Sequence, residues 1–178
     1  PGMKLSDVKP FIHEAIDMGV EQFSFTGGEP FVIRDFVNIL NYASQHRPCF
    51  VLTNATEPLH KRQHQVLPLL DNPYPIHFRV SLDFPDRARH DKDRGDGSFD
   101  EALQGIRWLV EQGFKVSIAR QTDPKEIPAD VEAAFRDIFR EWGIPENLAF
   151  TAFPDLGTPG SEDGSPEITE TCMEKYPT

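Results

Sequence analysis

Apolar residues along this 178-residue chain follow two periods that take turns. From residue 6 to about residue 18, Phe11, Ile12, Ala15 and Ile16 share one helical face, with Ser6 as the N-cap and Gly19 as the stop. Pro10 falls early enough in that helix to be tolerated. A strand is predicted over 22–26, then a helix over 34–45 carrying Phe36, Val37, Ile39, Leu40 and Ala43. Behind Pro48, residues 49–54 form a short, mostly apolar run of the kind a buried parallel strand shows. Between 58 and 70 the helical pattern is weaker, with Leu59, Val66, Leu67, Leu69 and Leu70 standing among histidines and basic residues. A strand over 77–83 leads into a charged loop, after which Ser98 and Glu101 read as a capping box. In the helix they open, Phe99, Ala102, Leu103, Ile106, Leu109 and Val110 repeat up to Gly113. A strand over 115–121, a helix with Val131, Ala134, Phe135, Ile138, Phe139 and Trp142 on one stripe, and a last strand over 148–153 complete the pattern.

Alternation of helix and strand with short connections predicts an α/β fold of parallel strands joined by right-handed crossovers. A barrel, a partial barrel and a doubly wound sheet all satisfy it. Residues 1–156 are expected to form that domain; residues 157–178, rich in Gly, Pro, Ser, Thr and Glu, read as a polar tail or the start of a C-terminal extension. With Pro1 at one end and this tail at the other, the chain reads as a fragment.

A formal net charge of -11 repels phosphate backbones and anionic lipid, so neither nucleic acid nor membrane is an expected partner. Neither a spanning apolar run nor a basic-then-apolar signal pattern is present, which leaves the cytoplasm as the expected compartment. The two cysteines, Cys49 and Cys172, give neither a disulfide framework nor a metal knuckle; they read as one buried strand cysteine and one tail cysteine.

In parallel α/β folds, ligands gather at the carboxyl ends of the strands. The polar residues of this chain collect there. Thr26, Gly27, Gly28 and Glu29 follow the first strand, with Pro30 next; Thr53 and Asn54 end the second, Ser81 and Asp83 the third, Arg120 and Thr122 the fourth; Asp155 and Gly157 lie beyond the fifth. Two glycines let a backbone approach a ligand with no Cβ in the way, and the carboxylate of Glu29 is then the fixed charge at that strand end, a combination suited to an ammonium-bearing small molecule.

The run Gly27-Gly28-Glu29-Pro30 resembles the Gly-Gly-Glu-Pro motif of radical S-adenosylmethionine (SAM) enzymes. Val51-Leu52-Thr53-Asn54, Ser81-Leu82-Asp83, His90-Asp91, Arg94-Gly95 and Phe99 follow in that family's order, so the resemblance extends over roughly residues 5–153. It implies a partial (β/α)6 TIM-like barrel lacking its first strand, with parallel strands and outer helices. It also implies SAM bound at the strand ends by Gly27, Gly28, Glu29, Pro30, Asn54, Ser81, Asp83 and Arg120. Glu29 is expected to take the ammonium, a charge-assisted contact of about 1.5–3 kcal/mol. Arg120 or Arg94 is expected to fork onto the carboxylate, and Ser81 with Asp83 to hold the ribose diol.

The family's Cys-x-x-x-Cys-x-x-Cys loop, which holds a [4Fe-4S] cluster, is absent from this sequence. The resemblance therefore implies a cluster whose ligands lie upstream of residue 1 and an enzyme active only in the full-length protein. That enzyme would cleave SAM reductively to a 5′-deoxyadenosyl radical, take electrons from a donor such as a flavodoxin or ferredoxin, and abstract hydrogen from a small-molecule or peptide substrate. A non-catalytic α/β binding module that has lost the cluster is the alternative. His90, Asp91 and Asp93 read as a solvated loop rather than a metal site, and His60 and His64 as a surface face.

Overall fold

The computed structural model describes residues 2–123 and 125–154. Asp155, Gly157, Cys172 and the 157–178 tail lie outside the described residues. Among the described residues five strands, β1 (Phe23–Phe25), β2 (Cys49–Thr53), β3 (Ile76–Ser81), β4 (Lys115–Thr122) and β5 (Ala149–Pro154), form one sheet in the order of the chain. Every neighbouring pair is parallel. Strictly consecutive order has no point at which the winding reverses, so the doubly wound option falls away and the barrel-type arrangement remains.

Helix α1 (Leu5–Asp17) precedes β1, and among the described residues six more α-helices connect the strands: α2 (Phe36–Ser44), α3 (Glu57–His60), α4 (Gln63–Val66), α5 (Arg87–Arg94), α6 (Ser98–Gln112) and α7 (Pro128–Trp142). Side chains alternate along each strand, so one sheet face meets the helices. Val51, Phe78, Val80 and Ile118 point into it and form one core with Leu40, Leu59, Leu103, Ile106, Leu109, Phe135 and Phe139. A fully buried Phe or Leu in such a core stabilises the fold by about 1.5–3 kcal/mol. On the other face, Arg79 lies over the Phe50 ring at 4.7 Å and donates from Nε to Ser117 Oγ, which also meets His77.

Local signals were overridden at four places. The first helix begins at Leu5, and the Lys4 backbone N–H donates to the Asp7 carboxylate, so Ser6 is inside the helix rather than its cap. The weak pattern over 58–70 is three short pieces, α3, α4 and a 3-10 turn over Leu67–Asp71, because Pro68 follows α4 closely. The charged loop contains α5, whose N-cap is Asp86, accepting from the Arg89 N–H. Ser98 and Glu101 do not form a capping box. Glu101 accepts from Glu57 N–H at the start of α3, and the exposed N–H groups of α6 are met by Asp91, which accepts from Gly97 N, Phe99 N and Ser98 Oγ.

Candidate functional site

The carboxyl end of β1 opens into Gly27 and Gly28, both exposed, with nothing within 4 Å of where a Cβ would stand on either. Gly27 has φ +148°, a backbone conformation that side chains rarely adopt, so glycine is required there. Glu29 then turns the chain inward. It is the N-cap of a 3-10 turn over Pro30–Val32, with Pro30 at the first position and the Phe31 N–H donating to Glu29 Oε1 at 3.0 Å. The same carboxylate reaches across to the end of β2. Thr53 Oγ1 donates to it at 2.9 and 3.0 Å, and the Asn54 N–H donates to Oε2 at 2.6 Å.

Three donors thus converge on a carboxylate that offers roughly four acceptor positions, which leaves room for one more. Burial pushes the Glu29 carboxyl up from 4.5, against the lowering pull of the Asn54, Phe31 and Thr53 hydrogen bonds and the more distant Arg94 charge. The donors present therefore do not fully offset the loss of water around this acid.

Asn54 carries the site onward. Its Oδ1 accepts from Arg94 Nη1 at 2.8 Å, and Arg94 forks onto Asp83 through Nε at 2.6 Å and Nη2 at 2.9 Å. Asp83 is buried, whereas Arg94 is partly exposed and keeps N–H donors beyond the three it uses. Behind that pair the Asp83 backbone N–H donates to His90 Nδ1 at 3.2 Å. Ser81, Asn54, Thr56, His90, Arg94 and Ser98 line a small cavity of about 40 Å³.

Gly27, Gly28, Glu29, Pro30, Asn54, Ser81 and Asp83 therefore come together at the ends of β1, β2 and β3. Arg120 does not join them. The register pairs Ser81 with Ala119, so the next residue, Arg120, lies on the helix-packed face with Ile118. Its guanidinium is almost fully buried, pairs with Glu126 and donates to the Gln121 carbonyl, while its Nε has no partner among the described residues.

His90 and Asp91 are not parts of a solvated loop. His90 is buried, with its ring edge on Phe99, and burial holds its imidazole below the usual histidine range. The His-Asp pair was visible in the sequence, but its surroundings were not, because α5 buries no residue except His90 and so has no apolar period.

SAM presents an ammonium and a carboxylate, and the strand ends fit both. An acid with an open acceptor position stands beside an unobstructed glycine edge, and a guanidinium with unused donors lies one residue contact away. An iron-sulfur cluster finds no such fit. Among the described residues no three His, Cys, Asp or Glu side chains are grouped to hold a metal, and Cys49 is buried with its thiol pushed up to about 12.

Known proteins match most of the chain. The AdoMet-dependent heme synthase of Nitratidesulfovibrio vulgaris is 28% identical over 138 residues, covering 75% of this chain and 35% of that protein. The Fe-coproporphyrin III synthase of Methanosarcina barkeri is 31% identical over 138 residues, covering 77% of this chain and 33% of that protein. The chain thus spans about a third of the length of these relatives. The crystal structure of Streptococcus suis SuiB superposes with a TM-score of 0.69 at 18% identity, over 97% of this chain and 38% of SuiB, which shows a shared TIM-barrel-like fold. SuiB bound to the precursor peptide SuiA superposes with a TM-score of 0.64 at 19% identity, over 86% of this chain and 33% of that one. The family model of the radical SAM superfamily, whose members use SAM and a [4Fe-4S] cluster, matches residues 2–138, and the chain belongs to that superfamily.

Proposed function

We propose that the full-length protein is a radical SAM enzyme and that this segment supplies its SAM-binding strand ends. The observation that carries the reading is the chain of contacts from Glu29 through Asn54 and Arg94 to Asp83, because it arrays an acid and a base along one open rim. Glu29, with the peptide edge of Gly27 and Gly28, takes the ammonium. Arg94 takes the carboxylate with the donors that Asp83 and Asn54 leave free. Asp83, with both oxygens on Arg94, orients that guanidinium, and Ser81 faces the ribose side from the small cavity. Pro30 and the 3-10 turn behind it fix the direction of the Glu29 side chain.

A reduced [4Fe-4S] cluster, for which the described residues offer no ligands, would supply the electron for this family's reductive cleavage of SAM, which Gly27, Gly28, Glu29 and Arg94 would hold in place. The electron donor is expected to be a flavodoxin or ferredoxin. Relatives named as a heme synthase and an Fe-coproporphyrin III synthase, and a neighbour captured with a precursor peptide, support a small-molecule or peptide substrate, held on the sheet face that the helices leave open.

The test is anaerobic loading of the full-length protein with iron and sulfide, followed by reduction in the presence of SAM. Cluster absorbance together with release of 5′-deoxyadenosine is expected. A full-length protein that binds SAM yet shows neither is the non-catalytic module instead.

A further inference from the structure

We infer that His90 is a positioning residue for the SAM pocket, acting through the peptide of Asp83 on the Asp83–Arg94 pair. The inference rests on the reading of the strand ends as a SAM site.

Its basis is a backbone donor with no strand to receive it. At the end of β3 the pairing with β4 continues, since Leu82 N donates to the Ala119 carbonyl and Gln121 N donates to the Asp83 carbonyl. On the other side β2 has already ended at Thr53. The Asp83 N–H therefore faces away from any ladder partner, in a buried position where an unpaired donor is costly. His90 Nδ1 receives it at 3.2 Å from one turn inside α5.

Accepting at Nδ1 fixes the neutral tautomer with the proton on Nε2. The surroundings hold that form. The ring is buried against the edge of Phe99, and Asp83, Asp91, Asp93 and Arg94 are the charged groups near it. The next residue, Asp91, ties the same turn of α5 to the start of α6 through Gly97 N, Ser98 Oγ and Phe99 N. The imidazole thus stands on a braced support, and the Asp83 carboxylate that forks onto Arg94 inherits its position from the peptide His90 holds.

The experiment compares His90→Leu and His90→Asn in the full-length, cluster-loaded protein. The Asn side-chain oxygen occupies the place of Nδ1 and accepts from the same N–H; Leu fills the space and accepts nothing. SAM affinity is read by calorimetry and KM for SAM by 5′-deoxyadenosine release, with thermal melts of all three proteins. His90→Leu is expected to raise the Kd and KM for SAM by about tenfold, the low end of what losing a partner that orients a binding group costs, with a smaller change in kcat. His90→Asn is expected to recover most of that loss. The inference is overturned if both variants bind SAM as the unaltered protein does. It is equally overturned if the Leu and Asn variants lose affinity alike, or if affinity simply tracks the fall in melting temperature. Failure of the unaltered protein to bind SAM strikes the site reading itself, so the two failures are distinguishable.

Discussion

Glu29 is asked to do two things with one carboxylate. It closes the local turn by accepting from Phe31 N, and it bridges to β2 by accepting from Thr53 and Asn54. Its remaining acceptor position is what a ligand ammonium would fill, and that contact would offset the burial that now raises its pKa. Glu29→Gln is therefore expected to weaken SAM binding by about tenfold to a hundredfold, from the loss of a charge-assisted bond, as read by calorimetry. A variant that binds SAM as tightly as the unaltered protein would remove the acid from the site. The pH dependence has a definite sign. Affinity is full where Glu29 is ionised and is lost as pH falls through its folded-state pKa, which burial places above the usual 4.5, so the loss begins at a higher pH than for an exposed glutamate. Titration of SAM affinity on the acid side checks this, and a midpoint at or below 4.5 would contradict it.

Among the elements, α6 decides where Asn54 stands. Gly105 faces the turn after β2 so closely that a Cβ on it would lie 2.2 Å from the Ala55 carbonyl oxygen. Ala55 itself has φ 54°, an uncommon conformation for a residue with a side chain, and its N–H donates to Thr53 Oγ1. Helix and turn are thus pressed together at the residue next to Asn54. Gly105→Ala is expected to destabilise the fold by about 1–3 kcal/mol, the usual range for overpacking, and to weaken SAM binding as well. Urea unfolding checks the first effect, and unchanged stability would mean that the two elements can separate without cost. Asp91→Ala removes the acceptor at the start of α6 and is expected to cost about 1 kcal/mol, as loss of an N-terminal cap does. That stabilisation also fades as pH falls below 3.8, because the Phe99 and Gly97 N–H groups, above all Phe99, hold the Asp91 carboxyl under its ordinary value.

Helices with an apolar stripe, such as α6 and α7, could be read from the sequence because burial of one face dictates their spacing. Helix α5 could not, since its eight residues bury His90 alone and its stability comes from the Asp86 cap and ion pairs. The capping box at Ser98 and Glu101 misled for a related reason. The spacing was right, but the two N–H groups such a box would use go to backbone carbonyls instead, Ser98 N to Gly95 and Glu101 N to Gly97.

At the scale of the whole molecule, the candidate site follows from strand order. Five parallel strands in sequence order bring the loops after β1, β2 and β3 to one rim, so residues 27–29, 54 and 83 meet although they are far apart along the chain. Glycines, an acid, an amide and an aspartate at successive strand ends were visible in the sequence, and so was their common rim. Which way each side chain faces was not. Ser81 and Arg120 both stand near strand ends, but the pairing of Ser81 with Ala119 turns Arg120 to the helix side, where Glu126 receives it. A one-residue difference in register would have reversed the two faces, and nothing local to either residue encodes it. Arg94, by contrast, lies on a polar helix with no apolar period and reaches the rim because Asp83 and Asn54 receive it there.

The most direct test is a crystal structure of the full-length protein with SAM bound. The methionine amino group is expected against Gly27, Gly28 and Glu29, and its carboxylate on Arg94, with Asp83 still paired behind. Density for SAM on the Arg120 side of the sheet, or at the amino ends of the strands, would contradict the central claim.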